Sequence, residues 1–267
     1  MEGRRLAVTA AALSLALGAA PAAGQSGYDF LGDLRSHERT GAGLVATCDP
    51  GTSLIVRFLT PVMVRVTLDR PDRDEALLEG PIARTEWPGA EVRFEETADR
   101  LALRSERLTV VVEKRPCRVG FLDAQGATLL RDDPGMGIGW DGNEVRNWKM
   151  IADERFFGLG EKTGDVDKRG REWVMWNSDT YGYGPETDPV YESIPFVIGV
   201  RGGRAYGVYL NNSYRSTFNL GAGNHRYWSF AADAGPLDYV FIGGPTVGGV
   251  VAAYTELTGR TPLPPRW

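Results

Sequence analysis

Carboxylates crowd one stretch of the chain, at Glu161, Asp165, Asp167, Glu172, Asp179, Glu186, Asp188 and Glu192. Paired carboxyl groups can exchange protons with a substrate, but a run of acids in a polar, turn-rich segment is in the first place a solvated surface. Asp179 differs in its neighbours, since Trp173, Trp176, Tyr181 and Tyr183 flank it in sequence. Flat apolar faces with hydroxyl-bearing edges, beside a carboxylate that accepts hydrogen bonds, suit a polyhydroxylated ligand. Asp179, Trp176 and Tyr181 are therefore the candidate binding residues, and the competing role for Asp179 is to cap a turn.

Other reactive residue types are sparse. His37 and His225 are the only histidines, and Cys48 and Cys117 the only cysteines. The cysteines lack zinc-ligand spacing and either bond to one another or remain buried thiols. Gly158-Leu159-Gly160 is no phosphate loop, because no helix opening on Lys-Ser/Thr follows it; its glycines supply backbone freedom at a bend. Glu161 and Lys162 form an internal pair beside that bend or lie separately on the surface. No cofactor or metal is expected.

The elements that position these residues are strands. Leu54-Ile55-Val56-Arg57-Phe58 and Val62-Met63-Val64-Arg65-Val66 alternate or cluster β-branched residues between turn signals. Leu108 to Val112 and Val119 to Leu122 repeat the pattern, with Asp123-Ala124-Gln125-Gly126 as a hairpin turn. Arg131 to Asn147, rich in Gly, Asp and Asn, reads as a loop. Ile194 to Val200, Tyr206 to Asn211, Arg226 to Phe230 and Leu237 to Ile242 resume the strands, punctuated by Gly-Gly pairs at 202 and 243. Many short strands without helical periodicity predict an all-β, antiparallel β-sandwich. One short C-terminal helix follows the turn Gly243-Gly244, with Pro245 at its first position, Val247, Val250, Val251, Tyr254 and Leu257 at helical spacing, and Gly259 as its stop.

The composition is that of a globular chain of 267 residues with 42% hydrophobic and 24% charged residues. Its net charge of −5, with acids and bases interspersed, leaves no basic footprint for nucleic acid. Arg4-Arg5, the apolar run from Leu6 to about Ala20, and the small residues Ala20, Ala22 and Ala23 read as a cleaved secretory signal. The mature protein is expected in the periplasm or outside the cell, with no membrane segment left after cleavage.

From Phe156 onward the sequence resembles one family. Phe156-Phe157-Gly158-Leu159-Gly160-Glu161-Lys162-Thr163, Trp176-Asn177-Ser178-Asp179-Thr180-Tyr181, Asp188-Pro189-Val190-Tyr191 with Ser193-Ile194-Pro195-Phe196, Gly207-Val208-Tyr209-Leu210-Asn211-Asn212-Ser213, and Leu257-Thr258-Gly259-Arg260 before a proline connector resemble glycoside hydrolase family 31, in family order. Residues from Gly27 to Lys149 are compatible with that family but carry no equally distinctive motif. The resemblance implies a galactose-mutarotase-like sandwich packed on a (β/α)8 barrel, with α-glucosides or α-xylosides as substrates. It also implies that the catalytic nucleophile stands in an Asp-Met-Asn motif, of which this sequence has none, with a second barrel Asp as acid/base. The expected organisation is a signal at 1–23, the sandwich at 24–243, a connecting helix at 244–260, and a linker at 261–267 leading to a catalytic barrel absent from the chain. In the family, the aspartate at the position of Asp179 reaches over the barrel mouth and helps to hold the sugar. A free-standing carbohydrate-binding module and an aldose epimerase are the alternatives; an epimerase needs a positioned acid and base, which neither histidine supplies in a motif with Glu161 or Glu192.

Overall fold

The computed structural model of the protein describes residues 27–71 and 81–266. The expected leader at 1–23 and the terminal Trp267 lie outside the described residues. The fold is an all-β sandwich of antiparallel sheets carrying one short helix.

An eight-stranded sheet forms one layer, in the order Arg155–Gly160, Ser193–Arg201, Arg204–Leu210, Asp238–Gly244, Met63–Asp69, Thr52–Thr60, Gly43–Cys48 and Leu34–Thr40. A six-stranded sheet, from Asp29–Phe30 through Ile138–Asp141, Glu144–Met150, Tyr227–Ala232 and Ser216–Asn219 to Glu172–Met175, covers part of it. A five-stranded sheet built from Thr128–Arg131, Cys117–Asp123, Leu108–Lys114, Arg100–Arg104 and Arg93–Glu96 covers the rest. A bridge between Asp132 and Lys149 joins the two smaller sheets. Alternation decides which face is buried: Leu44, Ala46 and Cys48 on one strand and Leu54, Val56 and Phe58 on the next all enter the same core. Aromatic pairs span the layers, with Phe121 stacked 3.9 Å from Phe241 and Phe156 edge-on to Trp228 at 5.6 Å. Cys48 and Cys117 form a disulfide that ties the eight-stranded sheet to the five-stranded one.

The eight-stranded sheet also buries apolar residues on its outer face, beneath the helix Val247–Thr258. Val250 and Leu257 are buried there and Tyr254 stacks on Phe196 at 3.9 Å, while Val247 and Val251 are exposed. Thr246, rather than Pro245, opens the helix; its hydroxyl accepts the Gly249 N–H at 3.1 Å. Nor do Gly243 and Gly244 make a turn. They end a strand, opposite Tyr206 and Ala205, and a Cβ on Gly244 would meet Val250 at 2.7 Å, so the glycine admits the helix.

The stretch 131–147 is not one loop. Ile138–Asp141 and Glu144–Met150 form a hairpin with Asp141 opposite Glu144, closed by Gly142-Asn143 with Gly142 at φ 57°. A two-residue turn of this kind needs positive φ at its first position, which Gly142 supplies.

One polar cluster crosses the core. Lys149, wholly buried, donates to Asp132 at 2.7 Å and to the Tyr239 hydroxyl at 2.9 Å. Asp132 also accepts from the Asn147 amide and the Val119 N–H, so every charge there is compensated. Burial lowers the Lys149 pKa, and the adjoining carboxylate of Asp132 opposes that shift.

Candidate carbohydrate-binding site

The loop carrying Asp179 runs from the end of Glu172–Met175 to the start of Ser193–Arg201, and it returns to the sandwich opposite a bulge. Arg155–Gly160 pairs with Ser193–Arg201, and the register shifts between Gly158 and Gly160. Gly158, Leu159 and Gly160 all have positive φ, at 106°, 73° and 80°. A Cβ on Gly158 would meet the Phe196 carbonyl at 2.5 Å, so the glycines permit both the backbone angle and the close approach. Leu159 holds the bulge from within, fully buried in the core.

Beyond the bulge, the Lys162 side chain is wholly buried while Glu161 is exposed. Lys162 therefore pairs with Asp188 at 2.8 Å instead of Glu161, and it also donates to the Val174 carbonyl at 2.6 Å. Asp188 accepts the Val174 N–H as well, at 2.6 Å. These contacts clamp the two ends of the loop. Most of the other carboxylates here are exposed, though Asp167 accepts from Arg155 and the Phe156 N–H.

Trp173 does not join Asp179. It is only 1% exposed and lies in the main core, with its indole N–H donated to the Lys168 carbonyl at 3.0 Å. It alternates along Glu172–Met175 with outward residues, which the aromatic content of the segment had concealed. Lys168 and Arg171 rest against its ring, at 4.9 Å and 4.3 Å. Desolvation, followed by the charge of Arg171, lowers the Lys168 pKa.

The outer loop is aromatic. Trp176, Tyr181, Tyr183 and Tyr191 are exposed, Tyr181 almost entirely, at 99%. Tyr191, which sequence reasoning did not single out, stands edge-on to Tyr183 at 6.0 Å and donates its hydroxyl to the Thr180 carbonyl at 2.7 Å. Its pKa is raised, first by desolvation and next by the negative charge of Asp179. Ser178 N–H donates to the Val190 carbonyl at 2.9 Å and the Thr180 hydroxyl to the Pro189 carbonyl at 3.1 Å. Neighbouring residues thus fold the loop tip, and Asp179 takes no part. Its carboxylate is exposed and accepts no hydrogen bond among the described residues, so the turn-capping role is not realised.

Of the histidines, His37 stacks on Phe94 and lies 3.5 Å from Glu96, where two sheet edges meet. Among the described residues, no group of three or more His, Cys, Asp or Glu could hold a metal ion, and no helix is long and apolar enough to cross a membrane.

The sequence matches the family model of the glycosyl hydrolase 31 N-terminal galactose mutarotase-like domain over residues 53–219. Alpha-glucosidase 2 of Bacillus thermoamyloliquefaciens is 37% identical over 240 residues, covering 89% of this chain and 30% of that protein. Alpha-xylosidase XylQ of Lactiplantibacillus pentosus is 31% identical over 229 residues, covering 81% of this chain and 28% of that protein. A GH31 dextranase of Flavobacterium johnsoniae, solved with glucose, superposes with a TM-score of 0.83 at 30% identity, covering 90% of this chain and 29% of that one. The chain thus spans less than a third of the length of these relatives. With the family match, the sandwich and the Gly-Leu-Gly bulge in agreement, the chain belongs to glycoside hydrolase family 31, as its N-terminal galactose mutarotase-like domain.

Proposed function

We propose that this chain is the sugar-positioning domain of an exported retaining α-glycosidase that removes terminal α-linked glucosyl or xylosyl units. In this reading the two catalytic carboxyl groups, about 5–5.5 Å apart in a retaining enzyme, belong to a (β/α)8 barrel on which the sandwich packs. The chain contributes binding, with Asp179 accepting from sugar hydroxyls and Trp176 and Tyr181 offering ring faces. One observation carries the reading: Asp179 is an exposed carboxylate with no hydrogen-bond partner among the described residues, on a clamped loop among aromatic side chains. A carboxylate with no structural work is available to a ligand. The α-glucosidase and α-xylosidase relatives support the substrate class. The Arg4-Arg5 pair and the apolar run from Leu6 to about Ala20, read as a leader, support export to the periplasm or beyond.

The test is Asp179→Ala in the full-length enzyme. Loss of one charged hydrogen bond to substrate lowers kcat/KM for an aryl α-glucoside by roughly 10–100-fold, with the melting temperature unchanged. Unchanged kinetics together with lower stability would assign Asp179 to the fold.

A further inference from the structure

Lys149 and Asp132 are held as reactants as well as counter-ions. They face one another across the bridge that joins the five-stranded and six-stranded sheets, Lys149 within Glu144–Met150 and Asp132 directly after Thr128–Arg131. Both side chains are 0% exposed, and Nζ lies 2.7 Å from Oδ1. The rings of Phe121 and Tyr239 wall the amine, with Nζ 5.6 Å and 4.7 Å from their centres. Groups fixed against one another in this way gain an effective concentration on the order of 10⁵–10⁸ M over the same groups free in water.

Burial also weakens the charges that keep an amine and a carboxylate from reacting. Desolvation lowers the Lys149 pKa, with the charge and hydrogen bond of Asp132 opposing it. Where neither ion is hydrated, a proton can pass from the ammonium to the carboxylate, which leaves a neutral amine against a neutral carboxylic acid. The nitrogen then has a lone pair and the carboxyl carbon is open to attack. Donors already stand where negative charge gathers in that step, since the Asn147 amide donates to Oδ1 at 2.9 Å and the Val119 N–H to Oδ2 at 2.7 Å. The Tyr239 hydroxyl, 2.9 Å from Nζ, is placed to relay a proton from the nitrogen. An acceptor is left over as well. Asn147 Oδ1 is buried without a hydrogen-bond partner among the described residues and can receive a departing water.

We propose that Lys149 and Asp132 join through an intramolecular amide bond, the ion pair being the state that precedes it. Nζ bonds to Cγ and the Cγ–Oδ1 bond breaks. Oδ1 leaves as water, carrying the proton it took from the ammonium and a second one from the nitrogen. The step changes no oxidation state and needs no co-reactant. Its product keeps one N–H for the Tyr239 hydroxyl and one carbonyl oxygen, Oδ2, for the Val119 N–H, so no buried charge remains. Cys48–Cys117 already ties the eight-stranded sheet to the five-stranded one. With the amide tying the five-stranded sheet to the six-stranded one, all three sheets are covalently joined. The bond is independent of the reading of Asp179.

The test is a tryptic digest of the reduced full-length enzyme, read by mass spectrometry. Trypsin does not cut after an amidated lysine, so peptide 132–146 is expected joined to peptide 147–155, at about 18 Da below the sum of the two. Lys149→Met should abolish the joined species. Asp132→Asn should give the same joined mass, because a carboxamide loses ammonia where the acid loses water. Peptides 132–146 and 147–149 recovered separately at full mass from the unsubstituted enzyme overturn the proposal. A loss of water that persists in Lys149→Met overturns it too, since it then arises within 132–146 alone.

Discussion

Asp132 and Asp179 carry the same functional group in opposite circumstances. Asp132 is sealed in the core, where Lys149, Asn147 and the Val119 N–H occupy both of its oxygens. Asp179 stands exposed at a loop tip with no partner among the described residues. The tyrosines repeat the contrast, since the buried Tyr239 hydroxyl meets Lys149 whereas Tyr181 lies almost wholly in solvent. A buried charge must be compensated on all sides or the fold loses more than the group contributes. An exposed carboxylate bears no such requirement, which leaves its lone pairs free for a ligand. The cluster around Lys149 should therefore govern stability and the loop around Asp179 recognition, with little exchange between the two.

The largest stability effect belongs to the core. Lys149→Met strands the Asp132 carboxylate without its cation and should cost about 3–5 kcal/mol, measured by urea denaturation. Adding Asp132→Leu to that variant should recover much of the loss, because the carboxylate left buried without its cation is then removed. A neutral Lys149→Met would break the contrast at its stronger end.

Removing the disulfide by Cys48→Ala with Cys117→Ala should cost about 4 kcal/mol, as expected for cross-linking residues 69 apart in sequence. Saccharide binding by the folded variant should be unchanged, since the bond lies within the sandwich. Asp188→Asn falls between the two regions, because Asp188 holds the buried Lys162 at the base of the loop. It should cost about 1.5–3 kcal/mol and also weaken turnover in the full-length enzyme, by freeing the loop. If stability falls with turnover intact, Asp179 does not depend on the clamp and the loop is stiffened by its tip alone.

The division between these regions also explains what the sequence could disclose. Long alternating runs such as Leu54 to Phe58 announced their strands, because each has one face that must be apolar. Glu172–Met175 and Ser216–Asn219 span four residues each, too few for a period to register, and they take their place by pairing with one another and with Tyr227–Ala232. The hairpin at Gly142-Asn143 was hidden by the glycines that make it. At the site, Asp179, Trp176 and Tyr181 were legible as a run of residue types, and all three are exposed on the same loop. Trp173 was misjudged because aromatic content says nothing of which side of a strand a ring occupies. Tyr191 was missed because it enters from beyond the Asp188-Pro189 turn. The Lys162–Asp188 clamp was invisible for a similar reason, since it closes across 26 residues.

Tyr181→Ala should give the smallest stability change, because a side chain that is 99% exposed buries almost nothing on folding. Unfolding free energy is expected to move by less than about 0.5 kcal/mol. The ring's value, if the loop serves recognition, lies in covering the apolar face of a bound sugar, a contribution that appears only with substrate present. KM for an aryl α-glucoside should therefore rise several-fold in the full-length enzyme while kcat changes little, since a stacking face meets ground state and transition state alike. A fall in kcat at constant KM would place Tyr181 against the reacting bond instead. Unchanged kinetics would confine recognition to Asp179 and Trp176, and the contrast between core and loop would then rest on a carboxylate rather than on an aromatic surface.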